Sequence, residues 1–308
     1  MGLFGKKREP LEVAVPALAR AAFAERGMET TIEFGLTPDD TMLVGADKRV
    51  YPLFNLLVIC RPEPERRWKA LVERHAAAML AAENDAPAEQ LGADLLRARL
   101  RTRLVRHFDD DPFPIDVAYA RPFAPGLVLA LCIDNPEAVA TLNSSTVAEL
   151  AIGLDEAYRV GQANTDGEPI AEHSELGGDI WLVGGESLFI ASKAAGFDVV
   201  LDRFSGPAPL GVVFAVPQRS LLVYLVPSRP DHVGSIGRMM HVVDRIARDA
   251  ETTMPGGLLS ADLFYRSADG EVERIGGRQP DSQNLAIDAT GRFGAVLEAL
   301  RAEESTGD

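Results

Sequence analysis

The sequence predicts an α+β protein: a mainly antiparallel sheet with packed helices, arranged in strand-strand-helix units and preceded by a helix-rich N-terminal domain. Three observations carry that prediction. From Asp179 onward short apolar runs alternate with helical stretches, and the connections Pro217-Gln218-Arg219 and Ala268-Asp269-Gly270 read as hairpin turns, which join antiparallel neighbours. The runs GVVFAV (211–216) and SLLVYLV (220–226) are apolar without alternation, as strands covered on both faces are. The composition, 46% hydrophobic and 25% charged over 308 residues, is that of a globular chain long enough for a sizeable core.

The elements follow in order. A basic tail (1–15) precedes a short helix that starts at Pro16, a good first-turn residue, and stops at Gly27. ETTIEF (29–34), TMLV (41–44) and RVYPL (49–53) read as strands, the last two joined through Gly45-Ala46-Asp47-Lys48. Helices are predicted over 64–83 and 92–107, the second with Leu95, Leu96, Leu100 and Leu104 on one side and four arginines around the rest. The polar, proline-broken run 109–114 (DDDPFP over 109–114) ends it and marks the domain boundary, dividing 16–111 from an α+β domain over 112–275. IDVAYARPF and LVLALCID flank a Pro125-Gly126 turn as strands, and Asn143-Ser144-Ser145 caps helical material to about 163. Then come IWLVGG, SLFIAS, a helix over 196–204, the two apolar strands, a helix over 230–250, SADLFYR and GEVERI. A linker (276–289) leads to Thr290, which caps a docking helix over 290–308 with Phe293, Val296, Leu297 and Leu300 on one face.

Charge is segregated. Of 31 Lys+Arg and 46 Asp+Glu, residues 1–110 hold 17 and 17, so the net charge of −15 lies wholly in residues 111–308, with 14 against 29. That sign repels phosphate backbones and anionic lipid, so no nucleic-acid or membrane partner is expected, while a basic protein partner fits it. No apolar run is long enough to span a bilayer. Glu12, Pro16 and Arg20 break the signal-peptide pattern near the N-terminus, and Lys6 stands where myristoylation needs Ser or Thr. Cys60 and Cys132, each in an apolar run, read as reduced core thiols, and the expected location is cytoplasmic.

No local signature of catalysis is present. The chain has no Gly-x-Ser-x-Gly elbow, no P-loop and no three-glycine dinucleotide turn. His75, His107, His173, His232 and His241 form no paired ligand motif; His232 and His241, nine apart on one helix, point to opposite sides, so no metal or other cofactor is expected. Paired acids such as Asp39-Asp40 lie in turns and read as solvated. Two features remain as binding candidates. Arg238, His241, Arg245 and Arg248 form a basic stripe on one helix, fit for an anion or for pairing with Asp244 and Asp249. Glu186, Ser187, Ser192 and Lys193 surround a glycine turn (Gly184-Gly185) at strand ends, where a lysine beside a serine suits a ligand contact or a reactive amine, though turn chemistry accounts for it equally. Trp181 and Phe189 read as sheet packing.

At these residues the sequence resembles a bacterial family of unknown function, the YtpQ-like proteins. The resemblance rests on GGESLFIASKAAGFDVVLDRF, VFAVPQRSLLVYLV and LSADLFYRSADGEVERI, with ELAIGLDEAYRVGQANT and YPLFNLL upstream, over about residues 16–275. Asn55, Asn164, Ser192, Pro217 and Asp269 are matched positions, and the family carries no established activity to transfer. The leading expectation is a non-enzymatic protein-binding or regulatory module. The alternatives are an enzyme or small-molecule sensor with its site near 184–193, and a chaperone or immunity-type protein for a basic client.

Overall fold

A computed structural model describes residues 9–306 except 36, 47, 85, 108–115, 137, 255 and 280–283. The described chain is α+β, with every strand pairing antiparallel. It divides into two compact units, residues 1–85 with 251–257, and residues 86–250 with 258–308.

In the first unit, α1 (Leu11–Ala24) buries Val15, Ala19, Ala22 and Phe23. Leu11 extends the apolar stripe backward, so the helix begins a turn and a half before Pro16 and the proline lies inside it; residues 11–15 are helix rather than tail. Gly27, at φ 86°, ends the helical stretch as predicted. Strands β1 (Thr30–Glu33), β2 (Met42–Gly45) and β3 (Val50–Pro52) form a three-stranded sheet in that order. The LLVIC run belongs to a helix not foreseen, α2 (Phe54–Cys60), which buries Leu56, Leu57, Val58 and Cys60, and α3 (Glu65–Asn84) follows. Asn55 Oδ1 accepts the Gly256 N–H at 2.6 Å, a tie that gives this matched position a structural duty.

The second unit opens with α4 (Ala93–Arg99) and β4 (Leu100–Arg106). The helix predicted over 92–107 is therefore half strand, because β4 pairs over seven residues with the apolar β6 (Leu127–Asp134) and that long-range partner overrides helical spacing. The pairing also corrects the domain division. The 109–114 run lies outside the described residues, but a cut there would split one sheet; the units part at 85/86 instead. β5 (Arg121–Ala124) is the only strand among the described residues of IDVAYARPF, since Val117–Ala120 form a turn, and β7 (Val139–Thr141) adds a further strand to β6. Asn143 caps α5 (Ser144–Ala148) as expected, its Oδ1 accepting the Thr146 N–H at 2.8 Å, and α6 (Leu154–Asp166) follows.

The larger sheet contains β8 (Glu172–Glu175), β9 (Trp181–Gly184), β10 (Val212–Gln218), β11 (Leu221–Leu225), β12 (Leu263–Arg266), β13 (Val272–Arg278) and β14 (Leu285–Ile287), in the order β14-β13-β12-β10-β11-β9-β8. Three helices pack on it: α7 (Phe197–Phe204), α8 (His232–Thr253) and α9 (Gly291–Thr306). β10 and β11 are covered on both faces, as their unalternated sequences require. Val213, Ala215, Val223 and Leu225 meet Ile236, Met239 and Val243 of α8 and Phe293, Val296, Leu297 and Leu300 of α9; Val212, Phe214, Val216, Leu222 and Tyr224 meet Phe197, Val200 and Leu201 of α7.

Three expectations fail here for local reasons. SLFIAS is no strand: Ser192 N bonds Phe189 O and Lys193 N bonds Ile190 O, winding the segment into a 3₁₀ turn (Ala191–Gly196). The 276–289 stretch is not all linker, because β13 runs to Arg278 and pairs with β14. Thr290 does not cap α9 with its side chain, which donates to Asp288 at 2.6 Å; Glu273 Oε1 accepts the Phe293 N–H at 2.7 Å instead. Cys60 and Cys132 are free and buried, as read.

Candidate functional site

The segments 161–168 and 186–193, distant in sequence, meet on the outer edge of β4. An exposed strand edge leaves N–H and C=O groups unpaired, and here side chains supply the partners. Thr165 Oγ1 accepts the Thr102 N–H at 3.0 Å and donates to Thr102 O at 3.1 Å. Ser192 Oγ accepts the Leu104 N–H at 2.9 Å, and Asn164 Nδ2 donates to Arg97 O and Leu100 O at 2.8 and 2.9 Å. The approach is close enough that a Cβ on Gly161 would stand 3.2 Å from the Arg101 carbonyl carbon.

Lys193, 2% exposed, closes the cluster. Its Nζ donates to Thr165 O at 2.9 Å and Asp166 O at 2.7 Å, the C-terminal carbonyls of α6, where a cation also meets the negative end of the helix dipole. Burial pushes its pKa below the ordinary lysine value, while Asp166 and Glu168 act in the opposite direction. Burial pushes the Asp166 carboxyl up, against Gln162 and Lys193. Ser187 donates to Glu168 Oε2 at 2.8 Å, and Glu168 Oε1 accepts from Arg101 Nε at 2.9 Å. Glu186 is exposed. Thus Ser187, Ser192 and Lys193 are brought together, but their polar atoms are engaged in holding β4, α6 and Glu168.

The basic stripe is elsewhere, on α8 across the large sheet. Arg238, His241, Arg245 and Arg248 are all exposed; Arg248 pairs with Asp244 at 2.8 Å and Arg238 donates to Ser235 at 2.7 Å. The structure does not join it to Lys193. His232 is buried at the start of α8 and His241 is exposed, so they do point apart. Trp181 packs on the sheet by stacking on the His173 ring, 4.7 Å between centroids.

One concave feature of this unit escaped sequence reasoning. A cleft of about 730 Å³ lies between β5, the 3₁₀ turn and the β12–β13 hairpin. Buried Tyr158 of α6 holds Arg121 from behind: its hydroxyl donates to Leu129 O at 2.8 Å and accepts the Arg121 N–H at 3.2 Å, while the Arg121 guanidinium lies 4.0 Å over the ring. Arg266, at the end of β12, lines the opposite side and forks onto Asp198 at 3.1 and 2.9 Å. Phe123, Leu129, Ala194 and Val272 line the space between, backed by Phe214, 6.1 Å from Phe123. Pro122 and Pro125 bring no N–H to this edge, which discourages strand addition. Arg121 also pairs with Asp155 at 2.7 Å and Glu271 lines the cleft, so a flat apolar body carrying a negative group suits the site where that group competes with these carboxylates for the two arginines. The arginines that form it are 145 positions apart in sequence, and no local motif announces them.

Among the described residues no group of three or more His, Cys, Asp or Glu is placed to hold a metal ion, and no helix is long and apolar enough to cross a membrane. In comparisons with family models, with curated proteins and with solved structures, nothing matches the chain.

Proposed function

We propose that the protein is a non-enzymatic binding module whose cleft between β5 and the β12–β13 hairpin takes an amphipathic organic anion. The observation that carries this reading is the pairing of Arg121 and Arg266 with the apolar surface of Phe123, Leu129 and Val272 in one concave site. The consumption of Ser187, Ser192 and Lys193 by structural hydrogen bonds favours binding over catalysis. Kinship with the YtpQ-like proteins belongs to the same reading and rests on the sequence strings that carry the resemblance.

Titration calorimetry with 2-naphthoate tests the proposal. Binding to the wild type that weakens about tenfold or more in Arg266→Gln is the expected result, since a hydrogen bond to a charged group is worth about 1.5–3 kcal/mol. An affinity unchanged by the substitution, or no heat at millimolar ligand, contradicts it. A second reading, engagement of a basic protein partner, is favoured by the 14-to-29 charge imbalance of residues 111–308. Its partner should be captured from native lysate at low salt and released as salt screens the contact; no reproducible partner removes it.

A further inference from the structure

One face of the four-stranded sheet formed by β4, β5, β6 and β7 carries a charge imbalance that the described residues do not resolve. Residues two apart on a strand share a face, so Arg101 and Arg103 of β4 stand together, with Cys132 opposite Arg101 on β6 and Thr141 opposite Cys132 on β7. Arg101 has its counterions, Glu168 at 2.9 Å and Asp134 at 3.6 Å. Arg103, 8% exposed, has none among the described residues: its one hydrogen bond is a long one to Thr141 Oγ1 at 3.3 Å, and its buried Nε has no partner.

The turn after β10 brings a second guanidinium to the same place. Ala191 N donates to Arg219 O at 3.0 Å, and the adjacent Ser192 holds Leu104, so Arg219 sits beside the β4 residues that flank Arg103. Its Nε is likewise buried without a partner, and no carboxylate among the described residues pairs with it. The two cations act on each other unfavourably, and burial pulls Arg219 down to about 10. Cys132, which faces both guanidiniums, is pushed up to about 12 by burial and is a neutral thiol at pH 7. Buried charges in proteins are paired, because desolvating an unpaired one is costly. Arg219 is half-buried, so the pair is open to solvent on its side.

We propose that Arg103 and Arg219 form an oxyanion site that takes a phosphoryl group, from inorganic phosphate or a phosphate monoester. The guanidinium fork matches phosphate oxygens two at a time, and half-buried Arg219 is the group a phosphoryl oxygen reaches from solvent, while both Nε atoms stay buried behind it. The site is separate from the cleft and does not depend on its proposed ligand.

Thermal unfolding of the full chain tests it, with 20 mM inorganic phosphate in one arm and 20 mM glycerol 3-phosphate in the other, each against sodium chloride of equal ionic strength. A ligand present well above its dissociation constant raises Tm, and a rise of about 3 °C or more is expected in at least one arm. A rise in both arms assigns free phosphate as sufficient; a rise with the ester alone assigns a phosphorylated metabolite. Arg219→Gln, at a half-buried turn, should abolish the rise, while Arg159→Gln on the exposed face of α6 should keep it. Arg103→Met adds a second reading: removing one buried cation should raise the Tm of the phosphate-free protein. No rise in either arm, or a rise that survives Arg219→Gln, overturns the proposal.

Discussion

At 2% exposure the Lys193 ammonium is held by two carbonyls at the end of α6, and its chemistry is spent on that helix. Lys193→Met keeps the length and much of the volume but removes the donor. It should lower stability by about 1.5–3 kcal/mol, read from urea unfolding; an unchanged midpoint contradicts the role. The pH dependence has a definite sign. Because the folded pKa is depressed, the folded chain holds this proton less tightly than the unfolded chain, so wild-type stability gains as pH rises toward the ordinary lysine value of about 10.4. Lys193→Met should lack that gain.

Elements in this protein are secured at their edges and ends by single side chains. Thr165→Val, nearly isosteric, leaves the Thr102 N–H and C=O without the hydroxyl and should cost about 2–3 kcal/mol, measured in the same way. The β12–β13 hairpin and α9 are joined by Asp269, which accepts from Ser267 and from Arg292 at 2.7 and 2.8 Å; the Ser267 hydrogen bond and then Arg292 pull its carboxyl down to about 2. A depressed carboxylate contributes stability above its unfolded pKa of about 3.9 and loses it as pH falls to about 2. The acid limb of unfolding for Asp269→Asn should be shallower across that window at low salt, with the difference fading at high salt, since the carboxylate is exposed; identical limbs contradict this.

The same scale explains what was legible in advance. β10, β11, α8 and the apolar face of α9 were visible because a core covered on both sides leaves no polar alternation and a docked helix repeats every three or four residues. β4 was not, because its Leu95-to-Leu104 spacing satisfies a helix until β6, some thirty residues later, claims it. SLFIAS carries strand-like residues, but the Ala191 N–H bond to Arg219 O and the Ser192 bond to β4 depend on elements far along the chain. For the same reason Ser192 and Lys193 were identifiable as unusual residues, whereas their engagement was not.

At the scale of the whole molecule, an excess of acid in residues 111–308 surrounds arginines that the fold concentrates at two places. One is the cleft of Arg121 and Arg266; the other is buried Arg103 with half-buried Arg219. Both are proposed anion sites in a protein of net charge −15, a balance expected to repel polyanionic surfaces at long range. Arg266→Gln should leave folding intact while weakening organic-anion binding. The crystal structure of the full chain with 2-naphthoate is the most direct measurement of this account. It predicts the ring system against Phe123 and Val272 with the carboxylate at Arg266 or Arg121, and Ser187, Ser192 and Lys193 keeping their present partners. Ligand seated on Lys193 or Ser187, with the α6 carbonyls released, would contradict it.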